Sequence, residues 1–153
     1  MGVSSDLSDA ELLAELRALD PLADETDPCW RDLNFWRRDP TRYMELADVA
    51  QLRKLRPAIR LLLDRACFGD PGEIMRGLRH RFEAIANPDW TFLADVCLEA
   101  AQSGRLGTQL WAIDQLAILN DPRARSTFMQ AIDRGPDSIC EAAKTGLRRL
   151  NSL

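Results

Sequence analysis

The sequence predicts an all-α protein, a short α-solenoid of about seven or eight helices arranged as stacked hairpins. Three observations carry this expectation. The first is a near-repeat: Ala112, Leu116 and Leu119 recur 31 residues later as Ala143, Leu147 and Leu150. Self-similarity at such a period marks an array of supersecondary units that bury their apolar faces against one another. The second is apolar residues recurring every three or four positions between regularly placed prolines. The third is the lack of any stretch in which β-branched residues alternate over five positions.

The elements follow in order. A helix is expected from Ser8 to Leu19, opened by a capping box of Ser8 with Glu11 and carrying Leu12, Leu13, Leu16 and Leu19 on its apolar side. Residues 40–55 carry Tyr43, Leu46, Ala50, Leu52 and Leu55 at helical spacing. After the interruption at Pro57, residues 57–68 carry Ile59, Leu62, Leu63 and Ala66. Residues 72–86 present Ile74, Leu78, Phe82 and Ile85, and residues 89–102 present Leu93, Val96, Cys97 and Ala100. Helices over 107–119, 122–133 and 137–150 complete the chain. The junctions Asp39-Pro40, Asp70-Pro71, Asn87-Pro88, Asp121-Pro122 and Gly135-Pro136 separate these segments. Proline disfavours helical geometry in the residue before it yet fits the first helical turn, where Asp or Asn accepts an orphan N–H.

The C-terminal stretch, Thr108 to Leu150, resembles a HEAT-type repeat, especially the short form of the bilin-lyase-like HEAT families. The residues that carry the likeness are Ala112, Leu116 and Leu119, then Asp121-Pro122-Arg123-Ala124, then Phe128, Ala131 and Ile132, then Ile139, Ala142, Ala143, Leu147 and Leu150. An earlier copy is visible at an offset of 34, where Leu78, Phe82, Ile85 and Asn87-Pro88 match Ala112, Leu116, Leu119 and Asp121-Pro122. The resemblance implies parallel layers of helix pairs, with small residues at Ala112, Ala142 and Ala143 allowing close approach. The chain divides into an acidic N-terminal cap or extension, residues 1–38, and a HEAT-like domain, residues 39–153.

Length and composition fit one globular domain. The 153 residues are 46% hydrophobic and 29% charged, enough to bury a core without a staple. Charge is uneven. Residues 1–32 hold nine acids against Arg17 and Arg31, giving −7, while residues 33–153 hold eighteen bases against fifteen acids, giving +3. The net charge of −4 argues against nucleic acid as partner. No apolar run reaches the roughly 20 residues that span a bilayer, and the first residues lack a signal-peptide pattern, so the expected address is cytoplasmic, away from membranes. Cys29, Cys67, Cys97 and Cys140 are too far apart for a metal knuckle. The last three lie on apolar faces and are expected as buried, reduced thiols.

A search for chemistry finds no metal, phosphate or nucleophile motif: no HExxH, no EF-hand loop, no GxGxxG, no GxSxG. No catalytic residue, cofactor or metal ligand is expected. His80 lies between Arg79 and Arg81, which oppose its protonation, and reads as a solvated surface histidine. Asp95 and Glu99 are four apart, the spacing of a wet helix face as much as of a carboxylate pair. Trp111, Asp114 and Arg148 echo the Trp, Asp and Arg of HEAT-like DNA glycosylases, a reading that the acidity of the chain disfavours.

The residues that read as partner-binding are of two kinds. Trp30, Trp36, Arg37 and Arg38 combine aromatics with arginines, as interface hot spots do, and equally suit an aromatic plug closing the first helix onto the array. Asp114, Gln115, Glu141, Lys144 and Arg148 lie opposite the core on the repeat helices, a mixed-charge set that suits a protein partner. Arg53, Lys54, Arg56 and Arg60 read either as a solvated face or as the footprint of an acidic partner. The expected function is a non-enzymatic protein-binding module of the inhibitor, immunity or adaptor kind. The alternatives are a bilin-lyase-like chromophore attachment factor, which the resemblance implies, and the glycosylase.

Overall fold

The computed structural model describes residues 6–21, 41–67 and 77–152. Among these residues the chain is all-helical: α1 (Asp9–Ala18), α2 (Thr41–Leu52), α3 (Ala58–Asp64), α4 (Leu78–Ala86), α5 (Trp90–Ala100), α6 (Leu106–Leu119), a 3-10 turn (Pro122–Ala124), α7 (Arg125–Arg134) and α8 (Asp137–Asn151). Trp30, Trp36, Arg37 and Arg38 lie outside the described residues.

Local sequence explains several of the ends. Ser8 accepts from the Glu11 N–H while Glu11 accepts from the Ser8 N–H, so the capping box forms, and the Ser8 backbone bond holds the Glu11 carboxyl below its usual range. Asp121 caps the 3-10 turn by accepting from the Arg123 N–H, with Pro122 at its first position. Asn120 ends α6 in the left-handed conformation, at φ 55°. Two expectations shift. The cap of α5 is Asp89, which accepts from the Phe92 N–H, and not Asn87, which instead ends α4. The helix expected over 40–55 stops at Leu52, and Leu52 is 84% exposed rather than part of the apolar face. Past Ala50 the chain has already turned toward α3, with the Leu55 N–H donating to the Ala50 carbonyl, and Lys54 takes a positive φ of 50°.

Among the described helices, α2 packs against α4, α6 against α8, α1 against α3 and α3 against α5. Each even helix also packs on the odd helix before or after it, and α3 touches α6. One core runs through all of them, from Leu12 and Leu16 of α1, through Tyr43, Leu62, Phe82, Leu93 and Leu116, to Phe128 and Ala143. Each such leucine or phenylalanine taken from water contributes about 1.5–3 kcal/mol. Ala47, Ala50, Ala112 and Ala143 are fully buried, the small residues that let backbones approach; Ala142 is half-buried. The closest approaches fall at glycines. The Gly107 Cα faces the Ala66 carbonyl where α3 meets α6, and the Gly146 Cα faces the ring of Phe128 where α7 meets α8.

Four polar contacts between helices share nearly one chain separation, whereas Arg53–Asp9, Arg60–Glu99 and Arg123–Asp95 span 44, 39 and 28 residues. Arg81 Nε donates to Asp48 (2.8 Å), Lys54 Nζ to the Asn87 carbonyl (3.1 Å) and Arg56 to Asp89 (3.2 Å), each pair 33 residues apart. Gln115 Nε2 donates to Glu83 (3.2 Å), 32 apart. At the far end Arg149 reaches Asn120 (3.4 Å), tying the last turn of α8 to the end of α6, so these helices run in the same direction. Two bonds fasten other joints: buried Tyr43 donates its hydroxyl to the Leu62 carbonyl (2.7 Å), and Trp111 Nε1 donates to the Cys67 carbonyl (2.6 Å). Acidic α1 is held by apolar packing and by Arg42 on Glu15 and Arg53 on Asp9 (3.1 Å).

Candidate functional site

On α4, positions 79 and 83 share one side and position 81 points elsewhere, as helical geometry requires. Arg81 therefore turns to Asp48 of α2, and Arg79 and Glu83 turn to α6. There they meet Asp114 and Gln115. Arg79 lies 3.8 Å from Asp114 and 3.9 Å from Glu83, Gln115 donates to Glu83, and His80 Nδ1 lies 3.7 Å from Glu83. Burial raises the Asp114 carboxyl above its usual range, with the Arg79 charge working against that rise. Arg79 Nε and Gln115 Oε1 are buried without a hydrogen-bond partner, although Arg79 Nε lies 3.9 Å from the Glu83 carboxylate. Glu83 is the hub: it draws Arg79, His80 and Gln115 to one carboxylate and fixes the register of α4 against α6.

This cluster corrects one sequence expectation. Gln115 was expected on the face opposite the core, and it is 1% exposed and bonded across helices. The reason is that α6 is packed on by α3, α5 and α8, and position 115 falls where the Glu83 side chain of α4 reaches it. Asp114 stays half-exposed at the cluster's rim. On α8, which has no further described helix beyond it, Glu141, Lys144 and Arg148 are all exposed; Glu141 and Lys144 pair at 3.5 Å and Arg148 bonds Thr145. The five expected contact residues thus split between an interior network and an open polar face.

The other singled-out residues also have places. His80 is largely exposed, with Glu83 beside it. Asp95 and Glu99 do not act together: Asp95 pairs with Arg123 (2.6 Å) and Glu99 with Arg60 (3.0 Å), each bond joining two layers. Arg53, Lys54, Arg56 and Arg60 likewise stitch the molecule to itself, and Arg56 also lies 4.7 Å above the Phe92 ring. Trp111 is half-buried, its N–H committed to Cys67. Cys67 and Cys97 are buried free thiols, and burial pushes Cys97 up to about 12. Cys140 is only half-buried, its thiol donating to the Gly135 carbonyl (3.1 Å).

Two hollows were not visible in the sequence. One, of about 310 Å³, lies between the α5–α6 turn and the α7–α8 turn, and Arg134, Gln102 and Gln130 line it. The other, of about 250 Å³, lies where Trp90 and Thr91 face Leu119 and Pro122, on the edge formed by the opposite turns. No motif announces either, because each is assembled from residues about 30 apart whose types are ordinary for a helix surface. Among the described residues no group of three or more His, Cys, Asp or Glu side chains could hold a metal ion, and no helix is long and apolar enough to cross a membrane. Compared with known proteins, the chain matches no family model, no curated protein and no solved structure.

Proposed function

We propose that the chain is a non-enzymatic protein-binding module, a short solenoid of HEAT-like hairpins that grips one partner protein as an inhibitor, immunity-type protein or adaptor. The observation that carries the reading is the ladder of interlayer bonds at a nearly fixed separation, Asp48–Arg81, Lys54–Asn87, Arg56–Asp89 and Glu83–Gln115. Equal spacing means that equivalent positions of successive hairpins stand beside one another, so their outward side chains form rows. Rows on a rigid frame suit recognition of an extended or helical protein surface, since the frame is ordered before binding and little entropy is lost on contact. The exposed polar face of α8, with Glu141, Lys144 and Arg148, extends this surface to the last helix.

The test is affinity purification of the tagged full chain from its own host at native abundance, followed by calorimetry with the recovered protein. The expected result is one stoichiometric partner with a dissociation constant in the micromolar range or tighter. A chain that purifies alone, or with no protein above a mock control at micromolar concentration, overturns the reading.

A further inference from the structure

We infer that the groove between the α5–α6 turn and the α7–α8 turn takes an extended, acidic segment of a partner protein, with an Asp or Glu side chain of that segment paired to Arg134. This rests on the protein-binding reading and says where and to what chemistry the module binds.

The groove has the size of a small binding site, about 310 Å³. Its floor is apolar: Ile113 and Ile139 are almost fully buried, and Leu106 and Ala131 are half-buried beside them. Such a floor takes an aliphatic side chain. Its walls carry carboxamides on both sides, Gln102 from the α5–α6 turn and Gln130 from α7. Both are exposed and neither makes a side-chain hydrogen bond within the described residues. A carboxamide both donates and accepts, the pattern that a peptide amide answers. Carboxamides on two facing walls suit a backbone that passes between them and continues, rather than one that ends there.

Charge decides which side chain accompanies that backbone. Arg134 is the charged residue lining the groove among the described residues, and no described carboxylate pairs with it. This sets it apart from Arg56, Arg60, Arg81 and Arg123, each committed to a carboxylate of a neighbouring layer. Its sequence neighbours Asp133 and Asp137 are exposed and do not line the groove. Arg134 stands in the last turn of α7, and the first N–H groups of α8, whose cap residue Pro136 has no side-chain acceptor, open beside it. An apolar floor, amide-matched walls and one uncommitted guanidinium describe a short stretch with an acidic residue next to an aliphatic one.

The experiment titrates a capped pentapeptide, acetyl-Ala-Leu-Glu-Leu-Ala-amide, into the isotope-labelled full chain and follows backbone and side-chain amide shifts by NMR. Saturable shifts are expected at Gln102, Gln130, Arg134 and the first turn of α8, at low-millimolar peptide. Arg134→Gln, an exposed position that leaves the fold intact by the same spectrum, weakens binding about tenfold, the loss of one charge-assisted hydrogen bond. Arg134→Lys keeps most of it, and the peptide with Gln in place of Glu binds as weakly as the variant. Shifts absent from the groove, shifts equal for the Gln peptide, or shifts untouched by Arg134→Gln overturn the inference. The two proposals fail separately. A captured partner whose affinity is unchanged by Arg134→Gln sinks the groove alone. A peptide that binds here as expected, from a chain that captures no protein, sinks the module reading and spares the groove.

Discussion

The contact between Gly146 and Phe128 gives the sharpest test of the packing. Gly146 is in the middle of α8, where glycine costs about 1 kcal/mol relative to alanine through backbone entropy. On propensity alone Gly146→Ala should stabilise the protein by that amount. The structure says otherwise. A methyl group at position 146 would sit 2.7 and 2.8 Å from Cε2 and Cε1 of Phe128, and nearer still to Cζ. Phe128 is fully buried, so its ring has nowhere to retreat. Forcing an extra carbon into a filled core costs about 1–3 kcal/mol, which outweighs the propensity gain over most of that range. The expected outcome is a net loss of up to about 2 kcal/mol, or a fall in Tm of a few degrees for a chain of this size, read by urea unfolding at unchanged m value. The control is Thr145→Ala next door, exposed and expected within about 0.5 kcal/mol of wild type. In the Gly146→Ala background, Phe128→Leu should cost at least 0.5 kcal/mol less than it does alone, an estimate of about the smallest coupling seen between touching residues. A Gly146→Ala protein more stable than wild type by the full propensity gain of about 1 kcal/mol, with no coupling to Phe128→Leu, would refute the close α7–α8 packing.

Further outcomes follow from named groups. Asp114 and Asp121 should respond to acid with opposite signs. The hydrogen bond from Arg123 holds the Asp121 carboxyl below its usual range, so its contribution exists above the ordinary Asp titration near pH 4 and disappears as the pH falls through the lowered value. Asp121→Asn is therefore expected to lower Tm at neutral pH and to match wild type in strong acid. Burial raises the Asp114 carboxyl, so ionising it costs stability as the pH rises through the ordinary value; Asp114→Asn should equal or exceed wild type at neutral pH and lose that advantage in acid. Tyr43→Phe deletes the hydroxyl bond to Leu62 and should cost about 1 kcal/mol by denaturant unfolding. Since burial pushes the Tyr43 phenol upward and the chain has one tyrosine, tyrosinate absorbance in alkali should appear only together with loss of helical circular dichroism. Cys97, buried and raised to about 12, should resist a thiol reagent until the protein unfolds, as should buried Cys67.

Much of the fold was legible because it rests on local rules. Ser8 with Glu11, and Asp121 before Pro122, are caps written within a few residues of one another, and the spacing of Leu78, Phe82 and Ile85 needs no partner to be read as one helix face. What escaped was whatever depends on a neighbour 30 residues away. Leu52 is apolar and in phase with its helix, yet the turn to α3 leaves it outside. Gln115 is polar and was assigned to water, yet α4 brings Glu83 to it. Asn87 precedes a proline as a cap would, but the cap role belongs to Asp89 two residues later. The basic run Arg53, Lys54, Arg56 and Arg60 looks like an open patch until each acceptor, from Asp9 to Glu99, is placed beside it. Arg134, Gln102 and Gln130 of the groove carry no signal at all in one dimension, since an arginine in the last turn of a helix is already explained by the helix dipole.

The 33-residue interval shared by three of the cross-helix bonds has a bearing on how such a chain can change in length. Arg81, Lys54 and Arg56 each clasp an acceptor 33 residues away in the chain. In the HEAT-like array proposed above, cutting out or duplicating one whole unit of about 33 residues would disturb two junctions and leave the other joints as they were, whereas removing half that number would set each arginine opposite the wrong partner. Growth and shrinkage by complete units is the cheap route, and a deletion series stepped through α4 to α7 should show survivors clustered at that increment.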